Sequence, residues 1–161
     1  MWIKTCIMSA LNQTYENVEV IFVDNESTDN SFEIAKEIQG THPHLIVNSA
    51  PNLYKYSWEE PVEKALSLSS GEYFTILGAD DYVSNEYVEK IVKIISTNPD
   101  KIKLLQTPIM GVRGGTGQHT GLIKHSYRNL QEFKTLLFNT CPVTTPSVVY
   151  SKELHLSLIH I

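Results

Sequence analysis

Val18-Glu19-Val20-Ile21-Phe22-Val23-Asp24-Asn25-Glu26-Ser27-Thr28-Asp29 is an apolar run that breaks onto clustered acids and hydroxyls. The arrangement recurs at Tyr73-Phe74-Thr75-Ile76-Leu77-Gly78-Ala79-Asp80-Asp81. A nearly continuous apolar run of this length predicts a strand buried on both faces of a parallel sheet. In an open α/β sheet, ligands sit in the crevice beyond the carboxyl ends of the strands. Carboxylates delivered there from two strands repel one another unless a cation or hydrogen-bond donors compensate them. One or two carboxylates plus substrate phosphates is a common Mg²⁺ arrangement. The pattern therefore predicts a site for a metal-bound phosphate compound.

Around these two runs the spacing predicts alternating elements. Ile3, Ile7, Ala10 and Leu11 recur at helical spacing, ending near Asn12. Ser27, Thr28 and Asp29 offer N-cap oxygens to a helix over 31–38. A strand over 44–48 follows, then a helix over 60–69 with Pro61 in its first turn. Val88, Ile91, Val92 and Ile95 mark an amphipathic helix stopped by Asn98-Pro99. Residues 103–110 read as a strand, 111–121 as a Gly-rich mobile loop, Leu130–Leu137 as a helix and 147–150 as a last strand. Strands alternating with helices predict a mostly parallel open sheet with helices on both faces.

Composition narrows the class. With 161 residues, 42 % hydrophobic and 19 % charged, the chain has the make-up of one soluble globular domain. No apolar stretch approaches the roughly 20 residues needed to span a bilayer, and no signal-peptide pattern opens the chain. Cys6 and Cys141 lack metal-type spacing, so reduced thiols and a cytoplasmic location are expected. Residues 1–100 carry 6 Lys/Arg against 16 Asp/Glu, whereas residues 101–161 carry 7 against 2. A basic half draws acidic or membrane-linked acceptors, and is equally a solvated face. Its cations are scattered without aromatic partners, which argues against nucleic acid.

Ser9-Ala10-Leu11-Asn12-Gln13-Thr14-Tyr15, the run into Asp24 with Ser27-Thr28-Asp29, and Gly71-Glu72-Tyr73 leading to Ala79-Asp80-Asp81-Tyr82 resemble family 2 glycosyltransferases of the GT-A fold. The resemblance extends over residues 5–150, including Asn139-Thr140-Cys141-Pro142 and Pro146–Tyr150. It implies an inverting transfer of a sugar from a nucleotide-diphosphate donor, a UDP-sugar first, to a glycan or lipid-linked acceptor hydroxyl. It also implies Mg²⁺ or Mn²⁺, and a role in polysaccharide or cell-surface glycan synthesis, with peripheral membrane association compatible. By similarity Asp24, Glu26 and Asp80 bind the donor, and Asp81 with Asp80 binds the metal. Residues 1–161 would form one partial domain, with 1–100 the nucleotide-sugar half and 101–161 the start of the acceptor half.

The chain also departs from the pattern. Glu26 stands where the family usually has Gly, and Val62 and Glu63 stand where a basic residue and an Asn are common. The chain starts inside the family's first helix, so the first strand is expected to be lacking. The general base is expected beyond residue 161, which predicts that this stretch alone turns over no sugar. The missing strand would separate residues 19–23 from 73–77, so these should not pair directly. Two other readings share the need for metal carboxylates: a nucleotidyltransferase, and a non-catalytic Mg²⁺-binding regulatory domain. The first lacks its Gly- and Arg-rich phosphate loop. The Gly111–Gly117 stretch lacks the Lys-Ser/Thr ending of a phosphate loop, leaving Arg113 at most a secondary phosphate contact. His42-Pro43-His44 lacks a third zinc ligand. Trp2 and Trp58 are expected to pack.

Overall fold

The run that decides the fold forms a strand, β1 (Val20–Asp24), and its partner β2 (Leu45–Ser49) lies parallel to it, Val20 opposite Leu45 and Asp24 opposite Ser49. The computed structural model describes residues 2–52, 59–98, 102–112, 116–123 and 147–154. Helices α1 (Trp2–Leu11) and α2 (Ser31–Thr41) pack on β1 and β2. Their shared core is Ile3, Ile7, Ala35, Ile38, Leu45 and Val47, with Val20 and Phe22 against it. The alternation of strand side chains puts Val20 and Phe22 on one face of β1, and the helical spacing puts Ile3 and Ile7 on one face of α1. Helix α3 (Glu59–Leu68) packs against β1 as well. Helix α4 (Tyr87–Ile95) buries Ile91 and Ile95. These elements belong to one compact unit, Met1–Glu72 with Leu77–Lys101.

A second unit comprises Tyr73–Ile76 and Ile102–Ile161. Here β7 (Val148–Ser151) is central, flanked antiparallel by β3 (Tyr73–Thr75) and β4 (Leu104–Gln106). Phe74 stacks on its register partner Tyr150, ring centroids 5.4 Å apart. Strands β5 (Ile109–Val112) and β6 (His119–Ile123) form a separate antiparallel pair. Among the described residues no helix is long and apolar enough to cross a membrane.

Several expectations need correction. Parallel pairing holds for β1 with β2, while the ladders of β3, β4, β5, β6 and β7 are antiparallel. β1 is half-buried along Val20–Val23 rather than enclosed, because β2 is its one partner among the described strands. The expected strand over 103–110 is two strands, split at Thr107-Pro108, where proline offers no amide to a ladder. The Gly-rich stretch expected as a loop contributes β5 and β6, so His119 lies in a strand. Gly111 is required there: a Cβ would collide with Thr120 Oγ1 across the pair. β1 and β3 belong to different sheets. The expected helix over 130–137, with Lys55, Trp58, Arg113, His125 and Cys141, lies outside the described residues.

Candidate active site

Asp24 closes β1 and is 7 % exposed. Its Oδ2 accepts the Ser27 amide at 3.0 Å, while its Oδ1 is buried without a hydrogen-bond partner. The Asp24 carbonyl accepts the Ala50 amide at 2.8 Å, which ties the exit of β2 to the same strand tip. Glu26 has φ +56°, the left-handed conformation that glycine adopts without strain. The Glu26 carboxylate faces the Asn52 amide at 3.2 Å.

Of Ser27, Thr28 and Asp29, expected to offer oxygens to the start of α2, Asp29 does so. The cap position falls on Asn30, which makes no side-chain cap bond. Asp29 instead accepts the Ser31 amide at 3.0 Å, and hydrogen bonding from Ser31 holds its carboxyl below the usual carboxylate range. Ser27 is spent on Asp24 through its amide.

The second acid cluster occupies a tight turn in which the Asp81 amide donates to the Gly78 carbonyl at 3.0 Å. Both carboxylates converge over Gly78. A Cβ placed there would sit 2.8 Å from Asp81 Oδ2 and 3.3 Å from Asp80 Oδ1. Only a residue without a side chain leaves that cradle open. Burial and then the charge of Asp80 raise the Asp81 carboxyl above its ordinary value, against a lowering hydrogen bond from Gly78. An acid whose charge is disfavoured by burial and by its neighbour, beside a small hollow, fits a hard divalent ion with oxygen preference.

Helix α1 backs this turn. The Cys6 thiol donates to the Gly78 carbonyl at 3.3 Å. Ser9 Oγ accepts the Val83 amide at 3.2 Å. Gln13 donates to the Ser84 carbonyl at 2.9 Å and accepts the Val88 amide at 2.9 Å. Gln13 is thus the brace that fixes the loop between the acid pair and α4.

Asp24, Asp80 and Asp81 do not assemble into a single cage. Among the described residues no group of three or more His, Cys, Asp or Glu is arranged to hold a metal ion. Asp24 stands at the tip of β1, and the Asp80–Asp81 pair lies over Gly78. His42 and His44 touch edge to face at 6.0 Å and likewise gain no third ligand among the described residues. Trp2, expected to pack, is 53 % exposed. Val62 is half-buried and Glu63 exposed, so the usual basic contact has no counterpart at those two places.

Solved structures with the same architecture are GT-A glycosyltransferases. TarS 1-349 of S. aureus superposes with a TM-score of 0.70 at 19 % identity, over 98 % of this chain and 45 % of that one. The mannosyltransferase PcManGT of Pyrobaculum calidifontis, solved in complex with GDP-Man and Mn²⁺, gives 0.66 at 18 % identity, over 98 % and 42 %. The fold is therefore GT-A. Residues 2–155 match the family model described as Glycosyl transferase family 2, and the chain belongs to that family. That membership sets aside the nucleotidyltransferase and regulatory-domain readings. Among curated relatives, the chondroitin synthase of Pasteurella multocida is 34 % identical over 92 residues, 57 % of this chain and 9 % of that protein. The minor teichoic acid biosynthesis protein GgaB of Bacillus subtilis is 30 % identical over 125 residues, 74 % of this chain and 13 % of that protein. The chain spans from 9 % to 36 % of the length of the curated relatives it matches.

Proposed function

We propose that this chain carries the donor-binding part of an inverting, divalent-metal-dependent glycosyltransferase. It moves a sugar from a nucleotide diphosphate, a UDP-sugar first, onto a hydroxyl of a glycan or lipid-linked acceptor. The work belongs to surface polysaccharide synthesis, in the cytoplasm at the inner face of the membrane. The observation that carries the reading is the convergence of the Asp80 and Asp81 carboxylates over Gly78 in a family 2 chain.

Asp81, with Asp80, would hold Mg²⁺ or Mn²⁺. When bound, such an ion supplies Lewis-acid stabilisation of the charge left on the departing nucleoside diphosphate. Asp24 works from the tip of β1, where the Ser27 amide fixes one carboxylate oxygen and leaves the other for a ligand N–H or O–H. Glu26 acts on the donor by positioning, since its carboxylate holds the Asn52 amide beside that tip. Inversion requires a base within hydrogen-bond reach of the acceptor hydroxyl, and no described residue is assigned that proton transfer.

The test is calorimetry of UDP with Mn²⁺ or Mg²⁺ on the purified protein and on Asp81→Ala. Binding should weaken at least about tenfold in the variant, the loss expected for a charge-assisted contact. Equal affinities would remove the metal assignment.

A further inference from the structure

Helix α3 packs against β1. The Glu19 carboxylate, one residue before β1, accepts the Ser70 and Gly71 amides at 2.8 and 3.3 Å and also the Ser70 hydroxyl. The carboxyl end of α3 is thereby tied to the amino end of the strand it packs against. A helix of 10 residues is about 15 Å long at about 1.5 Å per residue. A strand of 5 residues spans about 16 Å at about 3.3 Å per residue. The lengths match, so the first turn of α3 comes to the end of β1 that carries Asp24.

Two carboxylate oxygens on these elements are buried without a hydrogen-bond partner, Asp24 Oδ1 and Glu60 Oε2. Buried polar atoms in folded proteins are nearly always paired, and exceptions call for an explanation. A carboxylate at the start of a helix is also favoured by the helix dipole. The tip of a strand is where a ligand meets groups from both faces of a sheet.

We propose that Glu60 is a second acceptor for the donor nucleoside, reading a pair of adjacent hydrogen-bond donors together with Asp24. The inference rests on the donor-binding reading of Asp24. Ionised carboxylates only accept, so the matching ligand edge offers two N–H or O–H groups with no acceptor between them. The ribose cis-diol has that form, as does guanine along N1–H and N2–H₂. The uracil imide edge does not: its single N–H lies between two carbonyls, which would face a carboxylate. Glu60 therefore grips either the sugar of any nucleotide or the base of a guanine nucleotide.

The experiment titrates UDP, GDP, their 2′-deoxy forms and inosine diphosphate, each with Mn²⁺, into wild type, Glu60→Gln and Asp24→Asn. Glu60→Gln should weaken the best ligand about tenfold, as loss of a charge-assisted hydrogen bond does, with its unfolding midpoint unchanged. If the diol is the partner, the 2′-deoxy ligands lose the same factor on wild type and nothing further on Glu60→Gln. If guanine is the partner, inosine diphosphate, which lacks the N2 amine, takes that loss instead. These ligand-side changes read the wild-type protein, so the test survives a variant that folds poorly. Full affinity in Glu60→Gln, with Asp24→Asn still weakened, overturns the role of Glu60 and leaves the donor reading standing. A wild type that binds no nucleotide overturns both.

Discussion

The Cys6 thiol donates a hydrogen bond to the Gly78 carbonyl at 3.3 Å, joining residues 72 positions apart directly behind the turn that carries Asp80 and Asp81. Burial first, then the charges of Asp81 and Asp80, push its pKa up to about 11. The thiolate is the nucleophile, so this cysteine should be inert. At about pH 8, iodoacetamide should leave Cys6 unmodified in the folded protein and alkylate it in urea, as read by peptide mass spectrometry. The linkage has a definite sign. An unfolded thiol ionises near about 8.5, so above that value the unfolded chain sheds a proton that the fold retains. Stability must then fall as pH rises towards the folded value. Urea midpoints should decline more steeply in wild type than in Cys6→Ser between about pH 8.5 and 10.5. Parallel declines would show that the thiol is not protected.

Glu26 pays for its left-handed backbone, φ +56°, with about 1 kcal/mol of strain. Glu26→Gly removes that strain, but it frees the unfolded chain by about 0.4–1 kcal/mol and loses an exposed bond to Asn52. The net change in urea denaturation should stay below about 1 kcal/mol. Glu26→Val adds a β-branch where it fits worst, and should cost about 1–2 kcal/mol. If both variants lose the same stability, the Asn52 contact matters more than the backbone.

Gln13 uses its whole side-chain amide. It donates to the Ser9 and Ser84 carbonyls at 2.8 and 2.9 Å and accepts the Val88 amide at 2.9 Å. Beside it Thr14 donates its amide to the Asn85 carbonyl at 2.8 Å and its hydroxyl to Glu89 at 2.7 Å. Gln13→Ala should cost about 2 kcal/mol, from bonds worth about 0.5–1.5 kcal/mol each. It should also weaken Mn²⁺ binding by calorimetry, because the loop after the acid pair loses its brace. A variant that loses stability and keeps full Mn²⁺ affinity would confine Gln13 to folding.

Much of this was legible before any coordinates. Apolar periodicity marked α1, β1, α2, β2, α3, β3, α4 and β7, because each buries one face or stripe on a neighbour. The turn at Glu26 and the brace at Gln13 were visible only as family positions, since neither residue type announces its partner. The hairpin of β5 and β6 escaped because glycine is depleted in strands, and here Gly111 is needed for close approach to Thr120. The two signals at the ends of α3 were missed for another reason. Glu19 and Glu60 read as ordinary charged residues, and only the fold brings one to Ser70 and leaves the other with a buried oxygen lacking a hydrogen-bond partner.

Asp81 gives the acid pair its own pH signature. Its carboxyl is raised by burial and by Asp80, so the fold holds a proton that the unfolded chain has already released. Metal-free protein should therefore lose stability as pH rises from the ordinary carboxylate value, about 3.9, through the raised one, and keep that penalty above it. Asp81→Asn carries no such charge, and in chelator near neutral pH its melting temperature should exceed that of wild type. The gain is a few tenths of a kcal/mol, about the size of a solvent-screened pair. Below the ordinary carboxylate value the two should converge. Mn²⁺ should reverse the order, stabilising wild type by mass action and leaving Asp81→Asn unmoved. A wild type that melts no higher with Mn²⁺ than in chelator would mean that the hollow over Gly78 holds no ion.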